Sequence, residues 1–121
     1  MSNKLISRKY PFLPLTIHVR VSTRKKIDIH TQALIDTGFS GDIVAPTTEE
    51  LKQYPPDAYA TWTMAEGSEV MAPIFLGRIR FPQLDDDVAE TVGITVTVLG
   101  DQALIGQSIL RRFTLTLDHG K

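Results

Sequence analysis

From Leu15 to Ser22 the chain alternates, with Leu15, Ile17, Val19 and Val21 on one side of an extended backbone and Thr16, His18, Arg20 and Ser22 on the other. Successive side chains of a strand point to opposite faces, so the pattern predicts a strand with one face buried and the other in water. The charged stretch Arg24–Lys25–Lys26 reads as a solvated hairpin tip. A second alternating run, Ile27, Ile29 and Thr31, ends in the continuous apolar Ala33–Leu34–Ile35 and predicts a partner strand.

Downstream, Ile43–Val44–Ala45 predicts a short apolar strand. Thr47 and Glu50 have the spacing of a capping box, in which each side chain satisfies a free amide of a first turn. A helix is therefore expected from Thr47 through Lys52, stopped by Pro55–Pro56. Tyr59–Met64 and Glu69–Phe75 predict a hairpin around Ala65–Glu66–Gly67–Ser68, where Gly67 supplies the positive φ of a tight turn. Ile74, Leu76, Ile79 and Phe81 suggest another strand, broken at Gly77 by a bulge or bend. Pro82–Glu90 reads as loop, Thr91–Val98 as strand and Gly100–Asp101 as a turn. Ala103–Gly106 is a short apolar run, Gln107–Arg112 a brief helix, and Phe113, Leu115 and Leu117 alternate in a closing strand. The expected chain is mostly β with two short helices. No linker or low-complexity tract divides it, so one domain over residues 1–121 is expected, with 1–13 as an N-terminal arm.

Composition narrows what such a chain can do. Its 121 residues suffice to bury a core without a disulfide or metal staple. Cysteine is absent, which removes a thiolate zinc site, a cysteine nucleophile and a redox couple. Nothing marks an oxidising compartment, and the cytoplasm is expected. The 13 Lys and Arg against 14 Asp and Glu lack the basic excess that holds phosphate backbones, so no nucleic-acid partner is expected. No apolar stretch approaches the ~20 residues that span a bilayer, and residues 1–10 lack a signal-peptide core, so no membrane partner is expected either.

Several groups that could carry chemistry have plainer readings. Glu49 and Glu50 suit the first turn of a helix, where the dipole favours negative charge. Asp85–Asp86–Asp87 lacks the ligand spacing and glycine of a calcium loop. His18, His30 and His119 do not converge, and no metal or other cofactor is expected. Ser40 has no recognisable base. Trp62, in a hairpin strand, reads as packing or as a substrate contact. Asp36 is different: Ala33–Leu34–Ile35–Asp36–Thr37–Gly38–Phe39–Ser40–Gly41 sets a carboxylate at the end of an apolar strand, before a glycine that lets other backbone come close. A second carboxylate within a few ångströms would make the pair share one proton, one member acting as base and the other as acid, which activates water. Without a second carboxylate, Asp36 is a turn former.

The segment ALIDTGFSGDIVAP resembles the active-site motif of the retroviral-type (retropepsin-like) aspartic proteases, and ALIGQSILRRFTLTLD is similar to that family's second signature. The two occur in the family's order, either side of the hairpin, and the likeness spans roughly residues 15–118 in outline. It implies an all-β fold, a closed acid-protease barrel with one or two short helices. It also implies Asp36 as the catalytic aspartate, Thr37 as a tie between two active-site loops, and Gly38 as the place where substrate backbone lies close. Phe39, Ser40 and the flap residues Met64, Ala65, Glu66, Gly67 and Ser68 would contact substrate. Leu104, Ile105 and Gly106 would support the catalytic loop, with Gln107–Arg112 behind it. Phe39 stands where retroviral members commonly carry Ala, and the flap tip is less Gly-rich than theirs. One Asp-Thr-Gly per chain implies a homodimer, joined through Phe113–Asp118 and the N-terminal Met1–Phe12, that hydrolyses peptide bonds without metal or covalent intermediate. The alternative is a catalytically inactive peptide-binding or dimerisation module of the same fold, and a third reading is a β barrel whose likeness is chance.

Overall fold

The structure is a computed structural model that describes residues 4–84 and 91–117. Nine strands are present among them: β1 (Lys4–Ser7), β2 (Phe12–Ser22), β3 (Lys25–Ile35), β4 (Ile43–Ala45), β5 (Ala58–Thr63), β6 (Glu69–Arg80), β7 (Thr91–Val98), β8 (Leu104–Ile105) and β9 (Thr114–Leu117). A 3-10 turn covers Leu51–Gln53 and a short helix, α1, covers Gln107–Leu110. No helix among the described residues is long and apolar enough to cross a membrane.

The chain is all-β and closes into a six-stranded barrel. Neighbours follow the order β2-β3-β8-β4-β7-β6, and β6 pairs back onto β2 to shut the ring. The alternating residues of β2 do what their spacing predicts: Leu15, Ile17, Val19 and Val21 are buried. Ile27 and Ala33 of β3 and Ile43, Ile79, Ile94, Val96 and Ile105 meet them in the interior, so every barrel strand contributes to one core. β5 continues from β6 as a hairpin outside the ring.

Closure depends on Gly77. It pairs with Val19 of β2, and a Cβ there would lie 2.3 Å from the His18 carbonyl oxygen. Only glycine admits that approach, so Glu69–Arg80 forms one continuous strand rather than the two expected. The irregularity expected at Gly77 survives as a register shift against β7 between Gly77 and Ile79.

Two further expectations are corrected. Lys25 and Lys26 are not part of the hairpin tip but open β3, with Lys25 5.6 Å from the centroid of the Tyr54 ring. The capping box at Thr47 and Glu50 does not form, and the expected helix is a single 3-10 turn. Its cap is Thr48, whose hydroxyl accepts the Leu51 amide at 3.1 Å. Tyr54, preceding Pro55, is extended (φ −118°, ψ 141°), because proline disfavours helical backbone before it, and no room remains for a second turn. The expected helix over Gln107–Arg112 is α1, ending at Leu110. The Pro82–Glu90 loop lies outside the described residues from Asp85 onward.

Beside the barrel, β1 and β9 pair in parallel, Leu5 opposite Leu115, within one chain. The other edge of β1 is covered by Gln83, whose Oε1 accepts the Ile6 amide at 2.8 Å while its Nε2 donates to the Ile6 carbonyl at 3.2 Å.

Candidate active site

The two sequence motifs meet at β8. Leu104 and Ile105 pair in parallel with Leu34 and Ile35 of β3, and antiparallel with Val44 and Ile43 of β4. β8 therefore lies between the two arms of the loop from Asp36 to Asp42, which joins β3 to β4. The end of β3 is held by three backbone bonds: the Leu34 amide to Ala103 O at 2.8 Å, the Ile35 amide to Pro11 O at 2.8 Å, and the Asp36 amide to Ile105 O at 3.1 Å.

Asp36 follows directly and is half-buried. Its Oδ1 accepts the Gly38 amide at 3.0 Å and its carbonyl accepts the Phe39 amide at 3.2 Å, closing a tight turn. Thr37 and Gly38 are exposed. Gly38 keeps negative or extended φ, and a Cβ there would meet only Asp36 Oδ1, at an ordinary 3.4 Å. Nothing described in the protomer forces glycine at 38. The Thr37 hydroxyl likewise has no hydrogen-bond partner among the described residues.

The reverse side of the loop is fully engaged. The Gln107 amide donates to Phe39 O at 2.8 Å, Gln107 Nε2 donates to the Thr37 carbonyl, and the Ser108 amide reaches Gly41 O at 3.3 Å. Gly106 makes this docking possible, since a Cβ on it would lie 2.2 Å from Gly41 O and 2.7 Å from Phe39 Cδ2. A Cβ on Gly41 would likewise lie 2.7 Å from the Phe39 ring.

Asp42 is a residue that sequence reasoning missed. Its Oδ1 accepts the Ser108 hydroxyl, its Oδ2 accepts the Thr95 amide at 2.8 Å, and its carbonyl accepts the Gly106 amide at 2.9 Å. One side chain thus ties the loop to β7 and α1. The available signal was a charge set between Gly41 and the buried Ile43–Val44–Ala45, a position that demands polar partners.

The β5–β6 hairpin reaches the loop through one aromatic contact. Trp62 and Phe39 lie with ring centroids 5.5 Å apart, tilted by 47°. Beyond Trp62 the tip is exposed and held by its own bonds: the Met64 amide to Ser68 O at 2.7 Å, the Gly67 amide to Met64 O at 2.9 Å, and the Ser68 hydroxyl to Glu66 Oε1 at 2.6 Å. Gly67 has φ +96°, the left-handed turn conformation expected of it.

A recess of about 410 Å³ opens between the loop, Trp62 and β7. A larger one, about 760 Å³, lies away from this loop, against Lys4, Arg8, Lys9 and Phe12. No carboxylate among the described residues lines the larger recess. His18 and His30 lie on the polar face of the β2–β3 pair, His18 Nδ1 2.7 Å from Asp28 Oδ1 and His30 Nδ1 2.8 Å from Thr16 Oγ1. Among the described residues no three His, Asp or Glu side chains come together as metal ligands would.

No family model, curated protein or solved structure matches this chain. The site must be read from its own chemistry. The chain offers, in a turn held from behind by Ile105 and Gln107, a single half-buried carboxylate that accepts one backbone amide, from Gly38. Alone it can accept a proton. To act as acid and base at once it needs a second carboxylate, which a two-fold axis at this turn would supply.

Proposed function

We propose that the chain is a homodimeric aspartic endopeptidase of the retropepsin-like kind. The observation that carries this reading is the asymmetry of the Asp36 turn. Its back is fixed by Ile105, Gln107 and Ser108, whereas its front carries an exposed Thr37 whose hydroxyl has no partner among the described residues, and a Gly38 that none of those residues requires. A surface so organised suits a second copy of the same turn. The likeness of ALIDTGFSGDIVAP and ALIGQSILRRFTLTLD to the two signatures of that family supports the same conclusion.

In the dimer, two Asp36 carboxyls share one proton across the axis. The ionised member takes a proton from water as it attacks the scissile carbonyl, and the protonated member gives its proton to the carbonyl oxygen. Thr37 ties the two turns together, Gly38 leaves room for substrate backbone, and the hairpins with tips at Met64–Ser68 cover an extended peptide. β9 supplies the contact between chains: β1 covers one of its edges, Gln83 covers the outer edge of β1, and no strand among the described residues pairs with the far edge of β9. Asp118 and residues 1–3, also expected at the interface, lie outside the described residues.

A second reading, a peptide-binding module without hydrolysis, is favoured by the Phe39–Trp62 contact, which draws the hairpin onto the loop. Incubation with a diverse peptide mixture from pH 3 to 8, with products read by mass spectrometry, separates the two. Defined cuts made by the parent and not by Asp36→Asn support the peptidase. Retention of peptides by both proteins with no cuts at any pH supports the module.

A further inference from the structure

The recess beside Trp62 has a chemistry of its own. Asp42 lines it together with Phe39 and Trp62, whose rings touch, and with Ser40 and Thr95, and no Lys, Arg or His among the described residues lines it. Asp42 is half-buried and has no cationic partner among the described residues. A carboxylate offers about four lone-pair sites. Two are taken, by the Ser108 hydroxyl and the Thr95 amide, one on each oxygen. Two therefore remain, one per oxygen, on a group whose orientation those bonds fix. To that arrangement a guanidinium fork can donate two parallel N–H bonds. The flanking aromatic rings favour the same guest, since a planar cation is attracted to a ring face and Arg stacks there better than Lys. A volume of about 410 Å³ is ample for one side chain.

We infer that this recess is a binding site for the arginine side chain of an extended peptide, with Asp42 as its anion and the contacting rings of Phe39 and Trp62 as its aromatic surface. The inference rests on the peptidase reading in one respect only, that the peptide is also the substrate. Phe39 lies three residues from Asp36 in the same loop, so the recess and the proposed catalytic turn share one element.

Trp62 is the only tryptophan in the chain, and its fluorescence reports the recess directly. The test titrates acetyl-arginine-amide, and separately the uncharged acetyl-citrulline-amide, into the parent protein. The arginine compound is expected to change the Trp62 emission saturably, with the citrulline compound at least about tenfold weaker, because it loses the charge-assisted part of the two bonds. Asp42→Asn is expected to bring the two compounds level. If that variant does not fold, the comparison on the parent decides alone. Equal binding of both compounds, or no change in emission with either, overturns the inference. Neither compound has to be cleaved. Arginine binding without hydrolysis of any peptide would therefore count against the peptidase and leave the site standing, whereas cuts showing no enrichment of arginine at a fixed position would count against the site.

Discussion

The Gly41 carbonyl oxygen lies 2.2 Å from the point where any side chain on Gly106 would begin. These residues belong to two motifs 65 positions apart, and their backbones touch because neither presents a side chain at the contact. Gly106→Ala would force a methyl group into backbone that cannot swing aside. It is expected to destabilise the fold by about 1–3 kcal/mol, read as a lower midpoint in urea. The loop from Asp36 should respond most, and an unchanged midpoint would mean that the loop is not packed against α1.

Phe39 and Trp62 hold the hairpin to that loop. Phe39→Ala removes a half-buried ring, so it should cost less than the about 3–5 kcal/mol of a full core truncation, nearer 1–2 kcal/mol. Trp62 should then become wetter, shifting its emission to longer wavelength in the folded protein. A loss of stability without that shift would place Trp62 against something other than Phe39.

The pH response of the outer barrel face can be worked out from Asp28. The hydrogen bond from His18 holds its carboxyl below the usual aspartate value, the attraction of the His18 charge adds to this, and partial burial opposes it. A carboxyl with a depressed pKa in the folded state stabilises the fold above its unfolded value of about 3.9. That contribution is lost as pH falls through the depressed folded value. Because the Asp28 side chain is 41% exposed, the effect is small. Asp28→Asn should lower Tm by about 1–3 °C at pH 6, on the scale of an exposed pair, and the difference should shrink steadily below pH 4. A difference that persisted at pH 2 would show that the charge is not its origin.

Much of this architecture was legible in the sequence because it rests on period-two alternation. β2, β3 and β7 are long enough to display it, and Leu15, Ile17, Val19 and Val21 point inward as their spacing requires. Ala33–Leu34–Ile35 and Ala103–Leu104–Ile105 were readable as a pair of apolar runs ending near glycines, and the structure sets them side by side. What escaped was set by distant partners. The Thr47–Glu50 spacing suggested a capping box, but Pro55–Pro56 left room for a single turn, which Thr48 caps. β1 has four residues, too few to display a period, and exists because β9 and Gln83 flank it. Asp42 escaped because its partners Thr95 and Ser108 lie more than fifty residues away.

Thr37 offers a test of the dimer that does not depend on hydrolysis. Its hydroxyl has no partner among the described residues, and the proposed tie across the axis would use it twice. Thr37→Val keeps the shape and removes both bonds, so the dimer dissociation constant should rise at least about tenfold, at about 1–1.5 kcal/mol per net bond. Analytical ultracentrifugation measures this, and an unchanged constant would remove Thr37 from the interface.

The central claim is that one active unit needs two Asp36 carboxyls from two chains. Parent and Asp36→Asn protein, mixed at constant total concentration and allowed to exchange subunits, test it most directly. Once any peptide is found to be cut, its cleavage rate is followed against the parent fraction. If each mixed dimer is dead, the rate falls as the square of that fraction, so a half-and-half mixture retains about a quarter of the activity. A linear fall, with half the activity retained, would mean that each chain cuts alone and would contradict the account.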